Sequence, residues 1–207
     1  MKTRSIAAFD FDGTLTTRDT LPAFIRFACG WRRFLTGFQR YSPQLILMKL
    51  HLYSNGKIKQ RMFSHFFKGW DYAQFQATGA AFCSQIETMR NQNVIRQLEA
   101  HLEQGHTVYV ITGSILDWVQ PWCEKAGVHA IIATEVEVDD HNVITGRFKT
   151  PNCYGQEKVN RLLQLEPARD TYTLYAYGDS HGDKELLAMA DIATNIHSHT
   201  QMIKNHP

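Results

Sequence analysis

Residues 6–16 read Ile6-Ala7-Ala8-Phe9-Asp10-Phe11-Asp12-Gly13-Thr14-Leu15-Thr16. The unbroken apolar run 6–9 suits a strand buried on both faces, as in a parallel sheet. Two carboxylates then stand two positions apart where that strand should end. Burying charge is costly unless the charge is paired or holds a metal. Gly13 follows and permits a tight backbone turn. One reading is a strand end that presents acids to a metal and a reacting group. The other is a hairpin turn at Asp12-Gly13 with Asp10 on an exposed edge.

Three segments further along favour the first reading. Val108-Tyr109-Val110-Ile111-Thr112-Gly113-Ser114 is a second apolar strand, ending in a hydroxyl and a glycine ahead of a helix. Free N–H groups at such a place suit a phosphate, although Thr-Gly-Ser is also ordinary turn chemistry. Lys158 follows Asn152-Cys153-Tyr154-Gly155-Gln156-Glu157; alone it would read as a surface lysine. Leu174-Tyr175-Ala176-Tyr177-Gly178-Asp179-Ser180-His181-Gly182-Asp183 is a third apolar strand with acids at its end. Paired acids there suit a hard cation such as Mg²⁺, which takes oxygen ligands and keeps some waters.

The order DxDGT, Thr-Gly, Lys and GDxxxD resembles the haloacid dehalogenase-like hydrolases, over nearly the whole chain from Ile6 to about Asn195. The long insert between the first two motifs, and the stretch 152–158, are similar to the phosphoserine-phosphatase-like branch. The resemblance implies a Mg²⁺-dependent phosphomonoester hydrolase acting through an aspartyl-phosphate. Asp10 would be the nucleophile. Asp12 would protonate the leaving oxygen and then activate water. Mg²⁺ would be held by Asp10, Asp179 and the backbone carbonyl of Asp12, with Asp183 orienting ligands and Lys158 from the next layer. Thr112 and Gly113 would bind the phosphoryl oxygens, and Lys158 would neutralise the carboxylates and the phosphate.

Periodicity gives an α/β layout. Strands are expected at 5–10, 107–111, 130–133 and 172–177, and helices at 94–104, 115–126, 156–165 and 184–190. Residues 135–148 alternate like a hairpin with its turn near 139–142. Alternating strands and helices imply a doubly wound, mainly parallel sheet, with its site at the carboxyl ends of the strands. The expected division is a catalytic core of residues 1–18 and 94–207, with a helical cap of residues 19–93.

The cap is basic: residues 19–93 hold ten Lys or Arg against three acids, so they carry +7 and the remainder −5 within a net charge of +2. Aromatics are interleaved, among them Phe24, Trp31, Phe34, Phe38, Tyr53, Phe63 and Phe67. Two readings stand: an aromatic cap core under a solvated basic face, or a surface for anions, including peripheral contact with an anionic membrane. Nucleic acid is not an expected partner, because no recognition motif accompanies the charge. Arg40, Pro43, Lys49 and His51 exclude a spanning helix over 34–53. The four cysteines form no Cys-x-x-Cys and read as reduced thiols, Cys153 as a part-buried one. No signal peptide or metal-ligand spacing of histidines is seen, and His197 and His199 fall in an apparent tail. These features suit a cytoplasmic enzyme.

Within the resembled branch, Asp19 would meet a substrate amine and Arg61 would grip a carboxylate. Yet Thr112-Gly113-Ser114 stands where phosphoserine phosphatases usually carry Ser-Gly-Gly. The substrate therefore stays open between a phosphoserine-like metabolite and a lipid head-group phosphate. A phosphotransferase or mutase, and a non-catalytic phosphate- or partner-binding relative, are the alternatives. The full set Asp10, Asp12, Thr112, Lys158, Asp179 and Asp183 argues against the last, because a chain without catalysis has no chemical need for all six.

Overall fold

The computed structural model describes residues 2, 4–50, 52, 54–196 and 200–203, with residues 48, 49 and 200–203 described for their backbone alone. Tyr53, His197 and His199 lie outside the described residues. Six strands form the main sheet: β1 (Arg4–Phe9), β2 (Thr107–Ile115), β3 (Ala130–Thr134), β6 (Tyr172–Gly178), β7 (Ile192–Asn195) and β8 (Thr200–Ile203). Their order is β3-β2-β1-β6-β7-β8. The first five run parallel, and β8 returns antiparallel to β7. This is the doubly wound, mainly parallel α/β sheet that the pattern implied. The strands expected from the pattern end at residue 177, and β7 and β8 extend the sheet beyond them.

Side-chain alternation puts a helical layer on each face. Ala7 and Phe9 of β1, with Val108 and Val110 of β2, pack against α4 (Gln92–Glu103) through Val94 and Leu98 and against α5 (Leu116–Lys125) through Trp118 and Val119. Ile6, Ala8, Tyr109 and Ile111 face the other way. They meet Val159 and Leu162 of α6 (Gln156–Leu165) and Leu186 of α7 (Lys184–Met189).

The insert is three helices: α1 (Thr20–Lys49), α2 (Asn55–Phe67) and α3 (Tyr72–Glu87). Gly30, at φ 78°, breaks α1 into two helical pieces. Pro43 has no N–H to offer the Gln39 carbonyl, and the Ser42 hydroxyl donates to that oxygen instead, at 2.9 Å. Asp71 caps α3 by accepting from Gln74 N at 2.8 Å. Most of the aromatics turn inward. Phe24 stacks on Trp118 at 4.5 Å between ring centres and packs on Phe67 and Phe75. Trp31 and Phe27 are exceptions, at 56% and 41% exposure. The aromatic-core reading therefore holds for most of these rings, while Arg32, Arg33 and Arg40 are exposed. No helix among the described residues is long and apolar enough to cross a membrane.

The chain enters and leaves the insert side by side, with Thr17 N donating to Met89 O at 2.7 Å and Asn91 N to Leu15 O at 2.8 Å. The hairpin of β4 (Val136–Val138) and β5 (Ile144–Phe148), assigned from sequence to the core, bonds to the insert. Gly69 N donates to Ile144 O and Ile144 N to Trp70 O, each at 2.9 Å.

Beneath the sheet, His101 is buried, with Nε2 2.9 Å from the Tyr177 hydroxyl and Nδ1 2.7 Å from Nδ1 of half-buried His106. Burial, reinforced by His106, pushes His101 down to about 4 from 6.5. Between those values the unfolded chain takes up a proton that the folded chain refuses. Stability should therefore fall as pH drops from about 6.5 towards 4. The loss should be on the order of 2 kcal/mol, allowing for solvent screening around His106. Urea midpoints measured across this range should flatten in His101→Gln; an unchanged slope would assign the titration elsewhere.

Candidate active site

The site lies at the carboxyl ends of β1, β2 and β6. Because Phe9 pairs with Tyr177 across the central strands, the residues that follow, Asp10 and Asp179, emerge side by side. Asp10 N donates to Tyr177 O at 2.9 Å and fixes that exit. Gly13 adopts φ 79°, and a Cβ there would collide with the Asp179 carboxylate. Only glycine satisfies both the backbone and the close approach. Thr14 Oγ1 donates to Asp179 Oδ1 at 3.0 Å. The Asp12-Gly13 hairpin alternative is thus replaced by a tight turn that wraps onto Asp179.

Lys158, on α6, is 2% exposed and donates to Asp10 Oδ1 and Asp183 Oδ1, each at 2.6 Å. The surface-lysine reading is overturned: only ion pairing makes such burial tenable. Asp183 is fully buried, and its other oxygen accepts from Ser180 N at 3.0 Å and Ser180 Oγ at 2.8 Å. Ser180 Oγ in turn accepts from Gly182 N at 3.2 Å, which closes a capping box over the short turn His181–Asp183. Burial raises the Asp10 carboxyl to about 7, with Lys158 opposing and Asp183 adding to the rise. Burial alone would push Lys158 down, but Asp10 and Asp183 more than offset it and hold the ammonium charged.

Asp10, Asp179 and Asp183 each offer an oxygen within 4.8 Å of the others. Three carboxylates against one ammonium leave a formal charge of −2, which a divalent cation would balance. An all-oxygen donor set suits Mg²⁺. Both Asp183 oxygens already accept hydrogen bonds, one from Lys158 and the other from Ser180.

Asp12 points the other way. Its Oδ1 accepts from Thr20 N at 2.8 Å and Thr20 Oγ1 at 2.6 Å, and its Oδ2 from Ser114 Oγ. Trp118 Nε1 donates to Thr20 Oγ1 at 3.1 Å. The carboxylate thus sits at the N-terminus of α1, where the free N–H groups favour an anion. Ser114 is a hydroxyl, able to donate to the carboxylate or turn to accept from the protonated acid.

Thr112 and Gly113 depart from the expected strand-then-helix junction. The pairing of β2 with β3 shifts register between Ile111 and Ile115, so both residues lie in an irregular stretch of the strand. Such bulges re-aim side chains beside active sites. Thr112 Oγ1 accepts from Ser114 N at 3.0 Å. Gly113 O accepts from Thr134 Oγ1 at 3.0 Å and from Lys59 Nζ, on α2, at 2.7 Å.

One cavity of about 500 Å³ collects Asp10, Asp12, Asp19, Thr112, Gly113, Lys158 and Asp179. Asp19 sits at its exposed rim and accepts from Leu21 N at 2.8 Å. Although the residue as a whole is exposed, its carboxyl is desolvated where it faces the cavity, and this, with Asp12, pushes it upward while Lys59 opposes. Arg61 is corrected: it is exposed and outside the cavity lining. The buried stripe Ile58, Met62 and Phe66 sets the phase of α2, and position 61 falls beyond it. Lys59 is the α2 cation that lines the cavity. Cys153 is fully buried rather than part-buried, and burial raises its thiol to about 11, so it is inert. The cysteines are free thiols, as expected.

Sequence reading missed Thr20, Ser114, Trp118 and Lys59. Ser114 had a signal in its place beside Thr112-Gly113. Lys59 had none, because only the fold of the insert brings it to Gly113.

Comparison with known proteins agrees with this geometry. A family model for haloacid dehalogenase-like hydrolases matches residues 7–188. Protein CicA of Caulobacter vibrioides is 32% identical over 187 residues, covering 90% of this chain and 83% of CicA. A structure of a protein of unknown function from Bordetella pertussis Tohama I superposes with a TM-score of 0.77 at 21% identity, over 94% of this chain and 90% of that one. A phosphoserine phosphatase structure, described as a phospho-aspartyl intermediate analogue, superposes with a TM-score of 0.65 at 16% identity, over 94% of this chain and 87% of that one. The two structural likenesses show the fold; the family match runs through the acids of β1 and β6, and on it the chain belongs to the haloacid dehalogenase-like hydrolases.

Proposed function

We propose that the protein is a Mg²⁺-dependent phosphomonoester hydrolase that works through an aspartyl-phosphate. The observation that carries this reading is the buried Lys158 bridging Asp10 and Asp183 with Asp179 alongside. Structure alone has little use for three carboxylates and one ammonium at the end of a cavity. The substrate phosphoryl group would sit against Asp10, Thr112, the Gly113 N–H and Lys158. An Asp10 oxygen forms a bond to phosphorus as the bond from phosphorus to the leaving oxygen breaks. Asp12 gives that oxygen its proton. Water then attacks phosphorus, Asp12 takes the water's proton, and phosphate leaves with Asp10 restored. Asp183 keeps Lys158 aimed throughout. Asp10, Asp179 and the Asp12 carbonyl would hold Mg²⁺, which when bound would supply charge shielding between the nucleophile and the phosphate.

The test is metal dependence. Hydrolysis of p-nitrophenyl phosphate should fall at least about 100-fold in EDTA and return with Mg²⁺, whereas Ca²⁺, larger and looser in coordination, should restore little. At 100 times its Kd, Mg²⁺ should stabilise the fold by about 2.7 kcal/mol. Full turnover in excess chelator would overturn the assignment.

A further inference from the structure

The cavity is sorted by polarity. Its floor is the acid and lysine cluster. Above this stand Asp19, Lys59 and Arg18 near the junction with the insert. The wall contributed by α1 and α2 is Leu21, Pro22, Phe38, Leu45, Ile58 and Met62, with Asn55 at the start of α2 as its polar member. Leu21, Ile58 and Met62 are buried, whereas Phe38 and Leu45 are half-buried towards the opening. Two features hold this wall in place. Gly37, where a Cβ would collide with the Phe66 ring, lets α1 approach α2 and sets Phe38 at the cavity. Lys59 ties α2 to the Gly113 carbonyl. Beyond Leu45 the apolar surface continues outward, with Ile46 59%, Leu50 60% and Leu52 72% exposed.

A compact polar alcohol would leave that wall facing water. At about 500 Å³ the cavity has the size that takes a drug-sized ligand, and each apolar side chain desolvated by a ligand favours binding. Resting on the phosphatase reading above, we propose that the substrate is an amphiphilic phosphomonoester. Its phosphate lies on Asp10 and Lys158, a short polar linker passes Asp19 and Lys59, and an apolar chain runs along Phe38, Leu45, Ile58 and Met62 towards the exposed end of α1. The chemistry is the same whether the amphiphile is a free monomer or lies in a lipid surface. The exposed Arg32, Arg33 and Arg40 on α1 suit an anionic surface.

The test is a chain-length series. Purified full-length protein with Mg²⁺ is assayed on phosphoserine, glycerol 3-phosphate and 1-acyl-glycerol 3-phosphates with acyl chains of six, eight and ten carbons. Each is presented below its critical micelle concentration and again in anionic vesicles. The readout is kcat/KM relative to glycerol 3-phosphate in the same protein. It should climb about three- to fourfold per buried methylene, exceed tenfold by the eight-carbon chain, and fall towards one in Phe38→Asp and in Leu45→Asp. A climb among monomers identifies a soluble amphiphile, and a climb confined to vesicles identifies a membrane lipid; both support the proposal. A flat or falling ratio in the wild type, with phosphoserine or glycerol 3-phosphate turned over, overturns the amphiphile and leaves the phosphatase standing. No hydrolysis of any phosphomonoester, p-nitrophenyl phosphate included, overturns the phosphatase reading and this one with it. The wild-type series decides the matter even if neither variant folds.

Discussion

Asp10→Asn should abolish turnover, by at least about 10⁴-fold, the scale of loss when a covalent nucleophile is removed. The amide keeps the shape of the carboxylate but does not attack phosphorus, so no phosphate label should remain on the protein after a quench. The fold should survive. Asp10 is one of two buried carboxylates sharing Lys158, and removing one relieves the repulsion that Asp183 exerts on it. Melting temperature should therefore stay at or above that of the wild type, which separates lost chemistry from lost structure. Asp12→Asn should differ. It should lose about 10² to 10⁴-fold on poor leaving groups and less on p-nitrophenolate, which needs little protonation. Label trapped on Asp10→Asn would move the nucleophile elsewhere.

Lys158→Met should be the most destabilising single change at the site. It leaves Asp10 and Asp183, 5% and 0% exposed, without their shared cation. Breaking a buried ion pair from one side costs about 3–5 kcal/mol. For a domain of this size that corresponds to a fall in melting temperature of about 10 °C. Turnover should vanish with it, because the phosphate and the carboxylates lose their common counter-charge. Mg²⁺ should recover part of the stability and none of the activity. Lys158→Arg should not rescue the protein, since a planar guanidinium replaces a compact ammonium in a closed site. A variant that melts with the wild type would show that the carboxylates carry protons there and need no lysine.

Several features were legible because the chemistry is local to a strand end. An apolar run such as 6–9 must be a buried strand, and the acids after it must lie at its carboxyl edge. Three such strands put Asp10, Thr112 and Asp179 on one edge of one sheet, whatever the details between them. The helices at 94–104 and 156–165 were legible for the same reason, since their apolar periodicity reports the face they bury. The two strands after Ala190 were not. They are short, and β8 is an edge strand fixed by pairing with β7 rather than by its own pattern. The shift of β2 at Thr112-Gly113 was likewise hidden, because it answers to what packs against that strand.

By itself the sequence determined the parallel sheet, the acids at its edge and the order of the motifs that carries the family resemblance; each depends on residue type and near spacing. The tertiary structure alone decided that Lys158 is buried between Asp10 and Asp183, that Asp12 turns to Thr20 and Ser114, and that Lys59 rather than Arg61 lines the cavity. It also decided that α1 and α2 give the cavity an apolar wall. These facts rest on distances between residues far apart in the chain, and on the phase of helices set by an aromatic core. No local pattern carries either, because the free energy that fixes them comes from packing across the fold.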